Sequence, residues 1–221
     1  VTSPVIPPRT IGVLGAGRVG TAVARQSLWA GYEVSIATAK PAAELAMIAD
    51  IITPGARAVE AAEAAAADLV VLAVPMHRFH TLDAEALAGR TVVDTMNYWA
   101  PVDGRIAALE ADPRSTSEVV QDFLAASRVV KTLNHLGYRD LEALARPADH
   151  PDRRALALAG DDATARAAVG VFLDRLGYDP VDAGPLAAGR AFEPDTTIFA
   201  TSHPADRMRA LLRETCAVAV T

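Results

Sequence analysis

Two hydrophobic periods alternate along the first 132 residues, and the elements they predict come in strict turn. Thr10-Ile11-Gly12-Val13-Leu14 is a short apolar run that ends in Gly15-Ala16-Gly17-Arg18-Val19-Gly20. Residues 21–30 then follow a helical spacing, with Val19, Val23 and Leu28 near one face, and Gly31 stops the helix. Glu33-Val34-Ser35-Ile36-Ala37 alternates and carries β-branched residues, which predicts a second strand. Strand, glycine turn, helix and strand within about 30 residues is the length of a βαβ unit.

The alternation continues beyond that unit. Residues 41–51 predict a helix, 56–59 a short third strand, and 60–67 an alanine-rich helix. Asp68 opens a stretch over 68–74 whose residues 69–74 are an unbroken apolar run closed by Pro75, the pattern of a strand covered on both faces. Residues 90–94 and 128–132 predict two more strands, the second preceded by a helix over 117–126. Past residue 132 the pattern thins to a strand at 154–159, a helix at 161–176, a strand at 178–181 and a last amphipathic helix at 205–218. Strands that alternate with helices imply an α/β, Rossmann-type, doubly wound parallel sheet. The polar stretch Arg146-Pro147-Ala148-Asp149-His150-Pro151 is the soft boundary. It divides the chain into a nucleotide-binding domain over 10–146 and a small C-terminal α/β annex over 147–221 that completes the substrate cleft.

Composition narrows the function. At 51% hydrophobic, 221 residues suffice for a substantial core. The formal net charge of -6 argues against a nucleic-acid partner, which asks for a clustered basic face. The single cysteine, Cys216, removes a disulfide framework and a cysteine zinc site. The proline-bearing stretch 1–9 lacks the build of a signal peptide, and the longest apolar run, 69–74, falls far short of the roughly 20 residues that span a bilayer. The expectation is a cytoplasmic protein with a small-molecule substrate and no membrane partner. His77 and His80 share a helical face, but no third ligand has suitable spacing, so no metal is expected.

The glycine turn carries the first chemistry. It follows a strand and opens a helix, the context in which this motif marks a dinucleotide site. Gly15 permits the tight turn, Gly17 lets backbone approach a pyrophosphate, and Gly20 allows close helix–strand packing. The phosphates then meet the free N–H groups of a helix N-terminus, at Arg18 and Val19. At the end of the second strand, where an NAD site carries Asp or Glu, stands Ala37-Thr38-Ala39-Lys40. A hydroxyl and an ammonium with no carboxylate favour a 2′-phosphate, hence NADP(H). Val74, Pro75 and Met76, at the carboxyl edge of the sheet, are placed to wall the nicotinamide, with Asn97 beside them.

The reacting groups are less defined. Tyr98, Asn134 and His135 follow the later strands, and Tyr98 or His135 would serve as proton donor for a carbonyl or imine substrate. The two late strands leave too little chain for the long helical domain of hydroxyacid and imine dehydrogenases. A shallow cleft of Rossmann edge and annex suits a flat partner stacked on the nicotinamide, where alignment matters more than acid–base help.

Gly160-Asp161-Asp162, then Asp182-Ala183-Gly184-Pro185-Leu186, then Arg190, Glu193 and Thr196, together with the glycine turn, resemble the NADPH-dependent coenzyme F420 reductase family over roughly residues 10–200. The resemblance implies reversible hydride transfer between NADPH and a deazaflavin bound face to face in the cleft. It also implies that Gly15, Gly17, Arg18 and Val19 contact the pyrophosphate, that Thr38 and Lys40 take the 2′-phosphate, and that Pro75 lies by the nicotinamide. Arg190, Glu193 and Thr196 would shape the deazaflavin side, with His135 near them; the alternative is a local Arg190–Glu193 ion pair. The chain departs from the family pattern at Thr38-Ala39-Lys40, where Ser-Arg-Arg is usual, at Asn134, where a histidine is usual, and at Pro194. Lys131-Thr132-Leu133-Asn134 is similar to the NADPH-to-flavin domains of the ferric reductases. A flavin, a small carbonyl or imine compound, or a non-catalytic NADP(H) sensor therefore stay open. A homodimer is a family-level expectation, with Met208, Leu211, Leu212 and Val218 as either its face or part of the core.

Overall fold

The parallel sheet is ordered by burial. Leu69 to Leu72 are buried at every position, and the strand they form has a neighbour on each side. A computed structural model describes residues 7–218. In chain order it contains β1 (Thr10–Leu14), α1 (Arg18–Trp29), β2 (Glu33–Ala37), α2 (Ala42–Ile52), β3 (Arg57–Ala58), α3 (Ala61–Ala65) and β4 (Leu69–Leu72). Next come β5 (Thr91–Asp94), α4 (Ala100–Asp103), α5 (Ala107–Ala111), α6 (Thr116–Phe123), β6 (Arg128–Lys131) and α7 (Tyr138–Ala143). The chain closes with β7 (Ala155–Gly160), α8 (Ala163–Arg175), β8 (Asp179–Asp182) and α9 (Ala205–Val218). Two 3-10 segments, Met76–Thr81 and Leu186–Phe192, flank the site described below.

The eight strands lie in the order β3-β2-β1-β4-β5-β6-β7-β8. All neighbours are parallel except β6 and β7, which pair antiparallel through Val130 with Gly160 and Lys131 with Ala159. The chain from residue 147 onward thus extends the sheet at its β6 edge, then sends the 3-10 strap Leu186–Phe192 back toward the carboxyl ends of the strands. Strand order reverses between β1 and β4, and the crevice outside the carboxyl ends at such a switch point is where ligands of open α/β sheets bind.

Three apolar clusters hold the layers. One packs α1, α7 and α8 on one face of the sheet. A second fills the other face under α3, the Met76–Thr81 turn and α6. The third joins β7, the strap and α9, where Met208, Leu211 and Leu212 are buried and close the core; the side chain of Val218 lies outside the described residues.

Helix α6 begins one residue before its predicted start because Ser115 caps it, and it ends at Phe123 rather than at 126. The hydroxyl accepts from the Glu118 N–H, and the Glu118 carboxylate accepts from the Ser115 N–H. Helices α4, α5 and α7 are too short to show a period and were not predicted. Helix α7 forms where it can bury Leu141 and where Glu142 receives both Nε and Nη2 of Arg25, at 2.6 and 2.9 Å. Among the described residues no helix is long and apolar enough to cross a membrane. No group of three or more His, Cys, Asp or Glu among them is placed to hold a metal ion.

Candidate active site

The glycine turn is built by close backbone approach. Gly15 has φ +120°, and a Cβ there would fall 2.3 Å from the Ala73 carbonyl oxygen. A Cβ on Gly20 would fall 1.9 Å from the Gly15 carbonyl oxygen, so α1 can start against the turn only at glycine. Gly17 is different: a Cβ there meets nothing within 4 Å. It is the N-cap of α1, without a side-chain cap and with no acid in the first turn. The first N–H groups of the helix therefore face open space in a locally positive field, the arrangement that accepts a pyrophosphate.

That space is a cleft of about 660 Å³ along the carboxyl ends of β1, β2, β4 and β5. Of the predicted site residues, Gly15, Gly17, Arg18, Val19, Thr38, Val74, Pro75 and Asn97 all line it. A narrower apolar recess of about 150 Å³, between Ala37, Ala61, Ala65, Leu82 and Leu87, continues from Thr38 and has the character of a base-binding slot. Thr38 accepts the Lys40 backbone N–H at 3.2 Å. The Lys40 ammonium turns away to Glu44 at 3.4 Å and stands 75% exposed, outside the lining. The cations that do line the cleft are Arg18 and Arg78, and neither is paired with a carboxylate among the described residues.

At the far end of the cleft, Asn97 is clamped to Asn134. The Asn97 amide donates to the Asn134 carbonyl at 2.7 Å; the Asn134 amide donates to Asn97 Oδ1 at 3.0 Å and to the Phe192 carbonyl at 2.9 Å. Leu133 has φ 64°, an unfavourable conformation for a residue with a Cβ. The strain sits where the chain must turn out of β6 to present Asn134, and the three amide hydrogen bonds offset it.

His135 and Tyr98 are placed elsewhere than a proton donor requires. His135 is 1% exposed; its Nε2 accepts the Ala157 N–H at 3.2 Å, and its ring packs edge-on against Phe192. Its Nδ1 therefore carries the proton and donates to Asn134 Oδ1 at 3.3 Å. Burial, then the nearby Lys131 and His203, push its pKa down to about 3. The neutral ring belongs to the fold. Because the unfolded chain binds this proton near pH 6.5 and the folded chain only near 3, stability falls as pH drops from 6.5 toward 3. Unfolding free energies from urea titrations between pH 6.5 and 4.5 should decline for the wild type by up to about 1.4 kcal/mol per pH unit, and His135→Gln should flatten that slope.

The Tyr98 hydroxyl donates to Glu110 at 3.0 Å or the Gly104 carbonyl at 3.2 Å, and accepts the Ile106 N–H at 3.0 Å. It ties down the α4–α5 connection. Tyr98→Phe is expected to leave kcat within about twofold and to lower stability by about 1 kcal/mol, read by turnover and thermal melting together.

Arg190, Glu193 and Thr196 do not converge on the cleft. Arg190 is exposed, and no Arg190–Glu193 pair forms. Glu193 turns inward instead, accepting from the backbone and hydroxyl of Thr116 at 2.8 and 2.6 Å and lying 3.4 Å from the Lys131 ammonium. Thr196 donates to the Glu193 carbonyl and accepts the Phe199 N–H, which fixes the turn that brings Phe199 to the cleft.

Sequence reasoning missed four residues here: Arg78, Trp99, Asp103 and Phe199. Trp99 follows directly on Asn97-Tyr98 and was within reach of inspection. Phe199 comes from a loop after the strap, about a hundred residues further along, and only the return of that strap brings it in. Asp103 was hidden by the His77/His80 spacing. His77 does not pair with His80 but with Asp103, Nδ1 to Oδ1 at 3.0 Å, while the other Asp103 oxygen accepts the Trp99 N–H at 3.0 Å.

The fold and the cleft define a class: an NAD(P)-binding oxidoreductase with a Rossmann-like, mostly parallel sheet. The family model described as "NADP oxidoreductase coenzyme F420-dependent" matches residues 10–98. A solved structure from Arthrobacter sp. FB24, provisionally named an F420-dependent NADP-reductase, is 30% identical, with a TM-score of 0.70 over 83% of this chain and 88% of its own. The chain belongs to that oxidoreductase family. A hypothetical protein of Sinorhizobium meliloti is 28% identical with a TM-score of 0.75, covering 88% of this chain and 95% of its own. The 3-hydroxyisobutyrate dehydrogenase of Mycobacterium tuberculosis is 21% identical at a TM-score of 0.57, a likeness of fold; the match covers 84% of this chain and 57% of that one. No curated protein matches.

Proposed function

We propose that the protein is an NADPH:coenzyme F420 oxidoreductase, in which a hydride passes directly between NADPH and the deazaflavin ring within one ternary complex. The observation that carries this reading is the make-up of the far end of the cleft. Val74, Pro75, Met96, Trp99 and Phe199 give it apolar and aromatic walls, and neither Tyr98 nor His135 offers a free proton-donating group there. Such a site orders a flat acceptor more readily than it protonates a carbonyl oxygen.

NADPH supplies the hydride when bound. The chain's residues bind and orient. The N–H groups at the start of α1 hold the pyrophosphate, with Arg18 adding charge. Thr38 and Arg78 take the 2′-phosphate, helped by the absence of any carboxylate at the end of β2. Asn97, locked by Asn134, offers a fixed amide edge to the nicotinamide end. The proton that accompanies the hydride into the acceptor comes from water at the open mouth.

Anaerobic stopped-flow absorbance of the protein with NADPH and oxidised F420, with FMN and FAD in parallel, tests the reading. Bleaching of the deazaflavin band matched by NADPH loss is the expected result. Turnover with a flavin alone would reassign the acceptor. Binding of NADPH with no turnover of any of the three would overturn ring-to-ring transfer.

A second reading has one specific observation behind it. His77, seated on Asp103 beside the cleft, is built like an oriented proton donor, which an NADP-dependent reductase of a small carbonyl or imine would need. It predicts turnover of such compounds and its loss in His77→Gln.

A further inference from the structure

Five large apolar side chains of this protein stand exposed among the described residues: Trp29, Met47, Ile48, Ile51 and Trp99. The first four lie on α1 and α2, away from the cleft. Trp99 alone among them lines it, 58% exposed at the same end as Val74, Met96 and Asn97. An indole left in water at a cavity mouth forgoes the burial that nearly every other large apolar group here attains, and among the described residues its flat face has no aromatic or cationic stacking partner.

The backbone under that indole is held at several points. Asp103 accepts the Trp99 N–H with Oδ2 at 3.0 Å, and the Asp103 N–H returns to the Trp99 carbonyl at 2.9 Å. The Asp103 carboxylate, only 4% exposed, is fixed from its other oxygen by His77. One turn of helix is therefore braced from both ends, although its sequence, Ala100-Pro101-Val102-Asp103, has little helix propensity of its own. Phe199 lines the same cleft from the loop after the strap, its N–H held by Thr196.

We infer that Trp99 is the platform on which the ring of the hydride acceptor stacks, with Asp103 as the residue that positions it. The inference rests on the proposed ring-to-ring reaction and names the specificity element of that site. The substrate class is a planar fused heterocycle wide enough to cover an indole while presenting its reactive edge toward the nicotinamide end. Small carbonyl compounds gain nothing from such a platform, whereas a deazaflavin or a flavin does.

The test has a binding arm and a kinetic arm. In the binding arm, Trp29→Phe leaves Trp99 as the sole tryptophan, and its fluorescence is titrated with F420, FMN or acetone in the presence of NADP+. The expected result is saturable quenching by a ring compound and none by acetone. In the kinetic arm, Trp99→Ala is expected to raise the F420 KM at least tenfold, equivalent to about 1.4 kcal/mol, with the NADPH Kd within twofold of wild type. Trp99→Phe should recover most of that loss, which a purely structural role for the indole would not produce.

F420 turnover by the wild type with an unchanged KM in Trp99→Ala would overturn the platform and leave the reaction standing. Saturable quenching by a ring without turnover would keep the platform and sink the proposed reaction. No quenching by either ring overturns the platform whatever the turnover.

Discussion

Gly17→Ala is expected to weaken NADPH binding by 10- to 100-fold while the melting temperature stays within about a degree of wild type. The two readouts separate because the added Cβ meets no protein atom within 4 Å, so the fold has nothing to adjust. The space it enters is the one in front of the α1 N-terminus, where a pyrophosphate must come within hydrogen-bond distance of backbone N–H groups. Displacing the phosphates by a methyl radius lengthens several charge-assisted hydrogen bonds at once, and the loss corresponds to about 1.4–2.8 kcal/mol. Gly20→Ala is the contrasting control. Its Cβ would lie 1.9 Å from the Gly15 carbonyl oxygen, so α1 must shift and both stability and affinity fall. Isothermal titration with NADPH beside a thermal melt reads both quantities. Wild-type affinity in Gly17→Ala would mean that the cleft does not bind a dinucleotide across this turn.

Lys131→Met is expected to cost the most stability of any single change considered, about 3–5 kcal/mol, or roughly 6–20 °C for a chain of this length. The Lys131 ammonium is fully buried. It donates to Ser117 Oγ at 3.0 Å, and to Thr116 Oγ1 and the Met96 carbonyl at 3.3 Å each. It lies between two carboxylates, Glu193 at 3.4 Å and Asp94 at 3.9 Å. Asp94 is itself fully buried, accepting from Ser117 Oγ at 2.5 Å and the Met96 N–H at 2.9 Å.

Removing the cation leaves both carboxylates in a low-dielectric interior with only neutral partners, the situation in which breaking one member of a buried pair is strongly destabilising. Methionine keeps an unbranched stem under Gly189, where a Cβ would sit 2.8 Å from Lys131 Cδ, so the change removes the charge and leaves the packing of the strap on that stem. Glu193→Gln keeps an acceptor for Thr116 and should cost only about 1–3 kcal/mol. A Lys131→Met melt within 2 °C of wild type would mean that the cluster gives no net stability.

The contrast between these two sites shows how far local sequence carries. The glycine turn lies within one βαβ unit, and the pattern that marks it is local, although Gly15 also packs against Ala73 at the end of β4. A turn of the shape at Gly15, a helix N-terminus at Gly17 and a close packing at Gly20 are each demanded within six residues of one another. The sheet was legible for a similar reason: strands such as 69–72, buried on both faces, must be apolar at every position, and the helices between them must show one apolar stripe. Helices α4, α5 and α7 were not legible, since four to six residues hold too little of a 3.6-residue period.

The far end of the cleft follows other rules. Glu193 and Arg190 are three residues apart and of opposite charge, yet Glu193 turns to Lys131 and Thr116 because a buried ammonium binds a carboxylate more strongly than an exposed guanidinium does. His135 stands beside Asn134 on the same turn, yet one side chain closes on the core and the other on Asn97, and the left-handed Leu133 sets which. His77 chose Asp103 rather than His80, and Phe199 reached the cleft only because the strap folds back. By itself, then, the sequence determined the alternation of strand and helix, the parallel sheet from β1 to β6 and the glycine turn, while the antiparallel pairing of β7 on β6 came only with the structure. The tertiary structure alone decided which polar groups are buried and paired and which aromatic rings line the cleft. Those outcomes depend on desolvation and on contacts between segments more than a hundred residues apart, and no local pattern records them.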